Sequence, residues 1–250
     1  MKRIGKPFIL TISLLGLTLM LTACAPGQGS ARLEIEEHAL LDLGDMDMGD
    51  WTPVDGGRQE ILVEHQDLRE TSATAGVSAL TLAGDRLVAT ENYDQKFVTV
   101  VLTRNDEQVY QTEAGVISPI NNFRGLWAVN EQWFMEVAHV EENPDDPNAA
   151  FIVWGEIIRD GESLNKKYGY SEAFNFQLLD GKPFFLFIKD GSAGFSYDGR
   201  ETDLDFEKIT HYQCCSASSF NPRPSSTMVS FFARRGDVDY YVEVGKFTKK

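Results

Sequence analysis

From residue 60 onward, short apolar and aromatic runs return at regular intervals and are separated by turn-forming dipeptides. Four of these runs begin 46, 50 and 46 residues apart: RLVATE at Arg86, QWFMEVAHV at Gln132, KPFFLFIKD at Lys182 and MVSFFARR at Met228. No helical periodicity is sustained across them, which indicates β-strands. Self-similarity at a period near 46 residues predicts a body made of four similar β-units.

Each predicted unit has the same internal order of turns and strands. The first three runs follow turn-forming dipeptides, at Gly84-Asp85, Asn130-Glu131 and Asp180-Gly181. In all four units a second strand follows, beginning at Phe97, Phe151, Ala193 and Val238. A further turn leads the first three units into a polar outer strand, at Asn105-Asp106, Asp160-Gly161 and Asp198-Gly199. The fourth unit reaches Lys250 without such a strand.

This pattern resembles a degenerate β-propeller repeat, whose blades run about 40–45 residues in common families. The resemblance implies an all-β fold of about four blades, the last completed by a strand from the N-terminal side of the chain. The segment EILVEHQDL, Glu60 to Leu68, is predicted to be that strand, with residues 61–67 paired to residues 239–245. The continuous apolar run FFLFI predicts a strand covered on both faces. A β-sandwich or an open barrel is the alternative arrangement of the same strands.

The first 24 residues, MKRIGKPFILTISLLGLTLMLTAC, are organised like a secretion signal. Three basic residues precede an uncharged, mostly apolar run of 16 residues, Phe8 to Ala23. This run is shorter than the roughly 20 apolar residues of a membrane span. It ends in Leu21-Thr22-Ala23-Cys24, which resembles the lipobox of bacterial lipoproteins. The resemblance implies cleavage before Cys24, a diacylglycerol on its thiol, and a fatty acyl chain such as palmitate on its amino group.

The lipobox resemblance divides the chain into three parts. Residues 1–23 are the predicted signal peptide, and Cys24 is the predicted site of lipid attachment. Residues 24–58 are predicted to form an acidic tether, with one helical turn around Leu33 to Leu41, and residues 59–250 are the predicted β-domain. Two acyl chains hold a protein stably on a bilayer. Since the signal exports the chain, we expect the protein to be lipid-anchored on the extracytoplasmic side of the cell membrane or at the outer membrane.

The charge of the chain limits its partners. It contains 38 acidic and 23 basic residues, a formal net charge of −15. Nucleic-acid phosphates and anionic headgroups repel such a chain. We therefore expect no nucleic-acid partner, and contact with the membrane through the lipid anchor alone. Cations and basic proteins are the partners that this charge favours.

An acidic insertion separates two strands of the second unit. It reads EENPDDPN, and its carboxylates belong to Glu141, Glu142, Asp145 and Asp146. Carboxylate oxygens are ligands that Ca²⁺ prefers, so a calcium site is one hypothesis for this loop. A solvated turn, which its prolines favour, is the other. No further cofactor is predicted.

Cys214 and Cys215 are adjacent, and Cys24 is the third cysteine of the chain. In an exported protein such a pair is expected to form a disulfide, which either stiffens its loop or presents a flat surface to a ligand. Adjacent Cα atoms lie about 3.8 Å apart, below the usual disulfide range, so this bond is expected to be strained. A metal or redox site formed with His211 is the alternative.

No catalytic motif stands out in the sequence. The four histidines are far apart, and 38 acidic residues always offer carboxylate pairs, so neither carries information about catalysis. Trp127, Trp133 and Trp154 are predicted to pack within the sheets rather than to stack on a ligand. The sequence therefore favours a module that binds an envelope protein or a small ligand over an enzyme. The alternatives are a glycan hydrolase with carboxylates at the mouth of the ring, and a thiol- or metal-handling protein.

Overall fold

The computed structural model describes residues 33–39, 76–145, 151–212 and 222–246, which include parts of all four predicted units. Apart from one short helix, α1 (Leu164–Tyr168), the regular elements in these ranges are strands. The predicted all-β fold is confirmed. The strands are β1 (Glu34–Ala39), β2 (Ala79–Leu82), β3 (Asp85–Asp94), β4 (Phe97–Arg104), β5 (Glu107–Val116), β6 (Phe123–Val129), β7 (Gln132–Glu141), β8 (Ile152–Arg159), β9 (Glu162–Ser163), β10 (Glu172–Leu179), β11 (Lys182–Lys189), β12 (Ser192–Tyr197), β13 (Arg200–Phe206), β14 (Lys208–Ile209), β15 (Arg223–Pro224), β16 (Met228–Arg235) and β17 (Val238–Gly245).

The first two units are antiparallel meanders. Unit 1 consists of β2 to β5, and unit 2 consists of β6 to β9 together with α1. The predicted polar outer strand of unit 2 is only two residues long, because the chain turns into α1 directly after β9. The Ser163 hydroxyl accepts a hydrogen bond from the backbone N–H of Lys166 at the start of α1, and Gly169 ends the helix at φ 75°.

The last two units follow the same plan. Unit 3 is the four-stranded antiparallel sheet β10 to β13. Unit 4 is built on the hairpin of β16 and β17, with the short strands β14 and β15 along the other edge of β16. The remaining edge of β17 pairs with β1, so the fourth unit does receive its last strand from the N-terminal side of the chain.

The segment that completes unit 4 is not the predicted one. β1 pairs with β17 in antiparallel register, from Glu34 opposite Gly245 to Ala39 opposite Tyr240. Because β16 and β1 occupy both edges of β17, the predicted pairing of residues 61–67 with residues 239–245 is wrong; residues 61–67 lie outside the described ranges. The helical turn predicted around Leu33 to Leu41 is also wrong. The compact body begins at Leu33, inside the segment that was predicted to be a tether.

Turns with two left-handed residues join many neighbouring strands. Asn105 and Asp106 have φ values of 51° and 68°, and Asn130 and Glu131 have values of 50° and 61°. A turn in which both central residues have positive φ twists in the same sense as the strands that flank it, so it joins them without splaying. These two predicted turns are therefore confirmed, with a backbone conformation that Asn and Asp adopt more readily than most residues.

The units assemble into three sheets, and none of the three closes on itself among the described residues. Units 1 and 2 share an eight-stranded sheet, in which a parallel bridge between Gly115 and Val140 joins β5 to β7. Units 3 and 4 form separate sheets of four and five strands. Several antiparallel sheets are therefore present, but the closed ring implied by the propeller resemblance is not seen in the described part of the chain.

The buried apolar residues of the described ranges form three core clusters, which lie between units 1 and 2, units 2 and 3, and units 3 and 4. β11 shows how one strand serves two of them. Phe184 and Leu186 belong to the cluster shared with unit 4, whereas Phe185 and Phe187 belong to the cluster shared with unit 2. The prediction that FFLFI is covered on both faces is confirmed. No cluster of the described residues joins unit 4 to unit 1.

Candidate functional site

A cleft of about 660 Å³ lies between units 1 and 2. Residues around β4 and β5 line one side, β7 and β8 line the other, and α1 contributes Lys166. Gly115 and Val140, which form the bridge between β5 and β7, both line this cleft. Its location therefore follows from the way in which the two units are joined.

A stacked pair of rings forms part of the cleft wall. His139 and Trp154 lie directly opposite each other on β7 and β8, and their rings stack with centroids 4.0 Å apart and an interplanar angle of 9°. The indole Nε1–H of Trp154 donates a hydrogen bond of 3.0 Å to Oε1 of Glu141. These two contacts fix the position and the tilt of the indole, which lines the cleft and remains half-buried.

A buried carboxylate contacts the histidine of this stacked pair. Glu156 is 4% exposed, and its Oε2 lies 2.9 Å from Nε2 of His139, which must donate because a carboxylate only accepts. Burial alone would raise the pKa of Glu156. Hydrogen bonds from His139 and Ser163, with electrostatic attraction to His139 and Lys166, outweigh burial, so the pKa of Glu156 is lowered. Glu156 is therefore held as an anion inside the cleft.

Negative charge and aromatic surface dominate the cleft. Four carboxylates line it, from Glu113, Glu141, Glu142 and Glu156, against two ammonium groups, from Lys96 and Lys166. Phe97, at the start of β4, lines the cleft with 48% of its surface exposed. A concave site with an excess of one sign of charge attracts ions of the opposite sign, and aromatic faces attract cations. The cleft is therefore chemically suited to a positively charged group.

A second polar network lies between units 2 and 3. The Tyr212 hydroxyl donates to the buried carboxylate of Glu136, and burial followed by the charge of Glu136 raises the pKa of Tyr212 well above its ordinary value. Next to it, Glu172 Oε1 accepts from the backbone N–H of Gly155 at 3.1 Å and lies 2.5 Å from His211 Nε2. This network connects β7 and β8 of unit 2, β10 of unit 3 and the chain that enters unit 4.

His211 was the predicted metal ligand beside the cysteine pair. In the structure its Nδ1 lies 2.8 Å from the carbonyl oxygen of Ile209, and its Nε2 contacts Glu172. Both ring nitrogens therefore have protein partners, and a metal ion would have to displace one of them. Cys214 and Cys215, like the predicted lipid site Cys24, lie outside the described residues, so the disulfide remains a prediction.

The predicted calcium loop is divided between the cleft and a turn. Glu141 and Glu142 line the cleft, whereas Asn143 accepts a hydrogen bond from the backbone N–H of Asp145 in a local turn. Asp146 lies outside the described residues. Within the described ranges, the group of side chains close enough to hold a metal ion is elsewhere, on β1 and β17.

The tryptophans take two different roles. Trp127 and Trp133 are buried in the core clusters on either side of unit 2, as predicted. Trp154 instead lines the cleft, whereas the sequence predicts that it packs within the sheets. His139 and Glu156 were also missed, although a signal for both is present: each is a charged or titratable residue inside an otherwise apolar strand, where burial demands a partner.

Comparisons with known proteins give no further guidance. No model of a protein family, no curated protein and no solved structure matches this chain. In the part of the chain that the structure describes, no helix is long and apolar enough to cross a membrane. The function must therefore be inferred from the residues themselves.

Proposed function

We propose that this protein is a lipid-anchored binding module of the bacterial cell envelope, and that the cleft between units 1 and 2 holds a positively charged group of its ligand. The ligand carries an alkylammonium or guanidinium group, which belongs either to a small organic amine or to a Lys or Arg side chain of an envelope protein. The observation that carries this proposal is the indole of Trp154, fixed by His139 and Glu141 in a cleft with four carboxylates.

Two attractions favour a cation in this cleft. A cation over an aromatic ring gains about 1–2 kcal/mol when it is partly desolvated, and tryptophan is the best ring for this contact. Carboxylates around the ring add charge-assisted hydrogen bonds to the N–H donors of the same cation. Because the net charge of the chain is −15, its long-range field also draws cationic ligands toward the protein.

Glycan hydrolysis is the weaker candidate for this cleft. A hydrolase of this type needs one carboxylic acid with a raised pKa to protonate the leaving group. The buried carboxyl group here, Glu156, has a lowered pKa, and Glu141 accepts a hydrogen bond from Trp154. Both are therefore better suited to holding a cation than to donating a proton.

The proposed anchor rests on the leader sequence. Positive residues, an apolar run of 16 residues and the ending LTAC support secretion followed by lipid attachment at Cys24. Cells that express Cys24→Ser should incorporate no labelled fatty acid into the protein, whereas the wild-type chain should be labelled. Label retained on the serine variant would exclude the lipoprotein proposal.

The four units are proposed to be blades of a β-propeller-like body. Three observations support this: the repeat near 46 residues, the three core clusters between consecutive units, and the completion of unit 4 by β1. In such an arrangement the cleft lies between two neighbouring blades, at the bridge of Gly115 and Val140.

The binding proposal is tested with the full-length chain in detergent micelles. Isothermal titration should detect binding of cadaverine or of a short Lys/Arg-rich peptide, but not of a Glu-rich peptide or a neutral oligosaccharide. Trp154→Leu should weaken this binding about 5- to 30-fold, the factor that 1–2 kcal/mol represents. Glu107→Gln, a loss of one exposed carboxylate outside the cleft, is the control and should leave binding unchanged.

The outcomes separate the ligand sources. Tight binding of the peptide with weak binding of cadaverine indicates a protein partner, and the reverse indicates a small amine. Equal affinity of the wild-type chain and Trp154→Leu would exclude the cleft as the binding site. Hydrolysis of the oligosaccharide would replace the binding proposal with the enzymatic one.

A further inference from the structure

The pairing of β1 with β17 brings three potential metal ligands together. Glu36 lies directly opposite Glu243, and His38 lies two residues further along β1, on the same face as Glu36. One ligand atom from each side chain lies within 4.8 Å of the other two, and Nε2 of His38 lies 3.9 Å from Oε2 of Glu36. These residues are far from the cleft in sequence and belong to unit 4.

We propose that Glu36, His38 and Glu243 form a site for a transition-metal dication of the Zn²⁺ type, which ties β1 to β17. This site is independent of the proposed ligand cleft, which belongs to units 1 and 2. Its function is to secure the strand through which the N-terminal part of the chain joins the β-body.

Charge and burial favour a cation at this place. Two carboxylates directly opposite each other on neighbouring strands repel, and a dication between them turns that repulsion into attraction. Glu243 is fully buried, and the Tyr241 hydroxyl donates a hydrogen bond of 2.7 Å to its Oε1, which holds the carboxylate in position. Such a contact from a neighbouring side chain is a usual support for a metal-binding carboxylate.

The histidine selects the kind of metal. Nε2 of His38 is buried and has no hydrogen-bond partner among the described residues, although 26% of the side chain is exposed. An imidazole nitrogen suits Zn²⁺ and its neighbours in the transition series, whereas Ca²⁺ and Mg²⁺ prefer oxygen ligands alone. One nitrogen and two oxygens, with positions left for water, therefore indicate Zn²⁺ rather than Ca²⁺.

Zn²⁺ requires a tighter spacing than the three side chains show without the ion. Zn–N and Zn–O bonds are about 2.0–2.2 Å, so two ligand atoms on one tetrahedral ion lie about 3.3–3.6 Å apart. The separation of 3.9 Å between Nε2 of His38 and Oε2 of Glu36 exceeds this distance by about 0.3–0.6 Å, and the widest separation in the group, up to 4.8 Å, exceeds it by about 1.2–1.5 Å. Binding of the ion therefore requires rotation of the two partly exposed side chains on β1 toward Glu243.

Titration of the full-length chain in detergent with ZnCl₂ tests the site. We expect His38→Gln and Glu36→Gln each to weaken Zn²⁺ binding at least about tenfold, since loss of a supporting residue alone costs 10- to 100-fold. Glu34→Gln removes the same charge from the same face of β1 without removing a ligand, and it should bind Zn²⁺ as the wild-type chain does. CaCl₂ should not compete.

Two further measurements keep the test decisive if a variant is poorly folded. In the wild-type chain, ZnCl₂ should slow the hydrogen exchange of the β1 amides that bond to β17. Co²⁺ in place of Zn²⁺ should show no thiolate charge-transfer band, because the proposed ligands contain no sulfur. Unchanged hydrogen exchange at β1 or equal Zn²⁺ affinity in all variants would overturn the proposal. A thiolate band would also overturn it, because it would indicate that Cys214 and Cys215 bind the metal.

Discussion

The carboxylate of Glu136 on β7 accepts a hydrogen bond of 3.1 Å from the backbone N–H of Asn175, a residue in the left-handed conformation at a bulge in β10. The next N–H along the chain, that of Phe176, donates to the other carboxylate oxygen at 2.6 Å. A bulge removes N–H groups from the ladder between strands, and a buried N–H without a partner is costly. One acidic side chain of unit 2 therefore stabilises an irregularity in unit 3.

Replacement of Glu136 should destabilise the protein. In the wild-type chain, the two carboxylate oxygens of Glu136 accept from two backbone N–H groups and from the Tyr212 hydroxyl. Glu136→Gln preserves the shape of the side chain but replaces one of these oxygens with an NH₂ group, which cannot accept a hydrogen bond. We expect a loss of about 1–3 kcal/mol in the free energy of unfolding, measured by urea titration. Glu107→Gln, at the exposed start of β5, is the control, and a loss no larger than that of the control would contradict the role assigned to Glu136.

Removal of β1 should destabilise unit 4 although β1 lies far from it in sequence. Deletion of residues 33–39 removes the strand that pairs with β17 and also Leu33, which is buried in the core between units 3 and 4. Burial of one leucine side chain contributes about 1.5–3 kcal/mol, so a loss of at least about 2 kcal/mol is expected. Deletion of residues 25–31, which is equally long, is the control; similar melting temperatures for the two deletions would show that β1 contributes nothing.

The strands were predictable where their burial depends on local sequence. The run KPFFLFIK contains enough apolar surface for two faces, and β11 begins at Lys182 as predicted. β1 could not be predicted in this way, because EIEEHA contains three glutamates and a single large apolar residue. Its conformation depends on the open edge of β17, roughly two hundred residues later in the chain, and a charged sequence is what an edge strand tolerates. EILVEHQDL has a more typical strand pattern, but the sequence alone does not show which N-terminal segment pairs with that edge.

The stability of the protein should depend on pH through Glu156. Its pKa is lowered from the ordinary value of 4.5 in the folded state, so the folded protein binds this proton less well than the unfolded chain does. The resulting stabilisation is complete above about pH 4.5 and is lost as the pH falls through the pKa of the folded state. Glu156→Gln lacks this carboxyl group. The difference in unfolding free energy between the wild-type chain and this variant should therefore be about 1–3 kcal/mol at pH 7 and shrink below pH 4.5.

Urea titrations at a series of pH values measure this difference directly. Glu113→Gln removes an exposed carboxylate from the opposite wall of the cleft and controls for general changes in charge. A difference between the wild-type chain and Glu156→Gln that stays constant from pH 7 to pH 3 would show that His139, Ser163 and Lys166 do not stabilise the anionic form of Glu156.

The residues of the cleft illustrate what sequence alone does and does not show. The strand QWFMEVAHVE ends in the exposed Glu141 and has two titratable residues inside its apolar run, Glu136 and His139, both of which are buried in the structure. Their burial and their need for partners were predictable from that pattern. The partners were not, because His139 meets Glu156 through the register of β7 and β8, and Glu136 meets a bulge about 40 residues later in the chain.

The contact between units 1 and 2 should depend on the absence of a side chain at residue 115. Gly115 has φ 98°, and a Cβ atom there would lie 1.9 Å from the carbonyl oxygen of Val140, its partner in the bridge between β5 and β7. Neither backbone can move away without breaking that bridge, so Gly115→Ala should cost about 1–3 kcal/mol for the clash, besides about 1 kcal/mol for the left-handed conformation. Gly84→Ala is the matched control, because Gly84 has φ 91° but no atom within 4 Å of the added Cβ.

Since Gly115 and Val140 both line the cleft, Gly115→Ala should also weaken binding of the cationic peptide, whereas Gly84→Ala should not. Urea titration and calorimetry of both variants measure the two effects, and equal losses of stability in the two variants would show that the strands do not meet closely at this glycine.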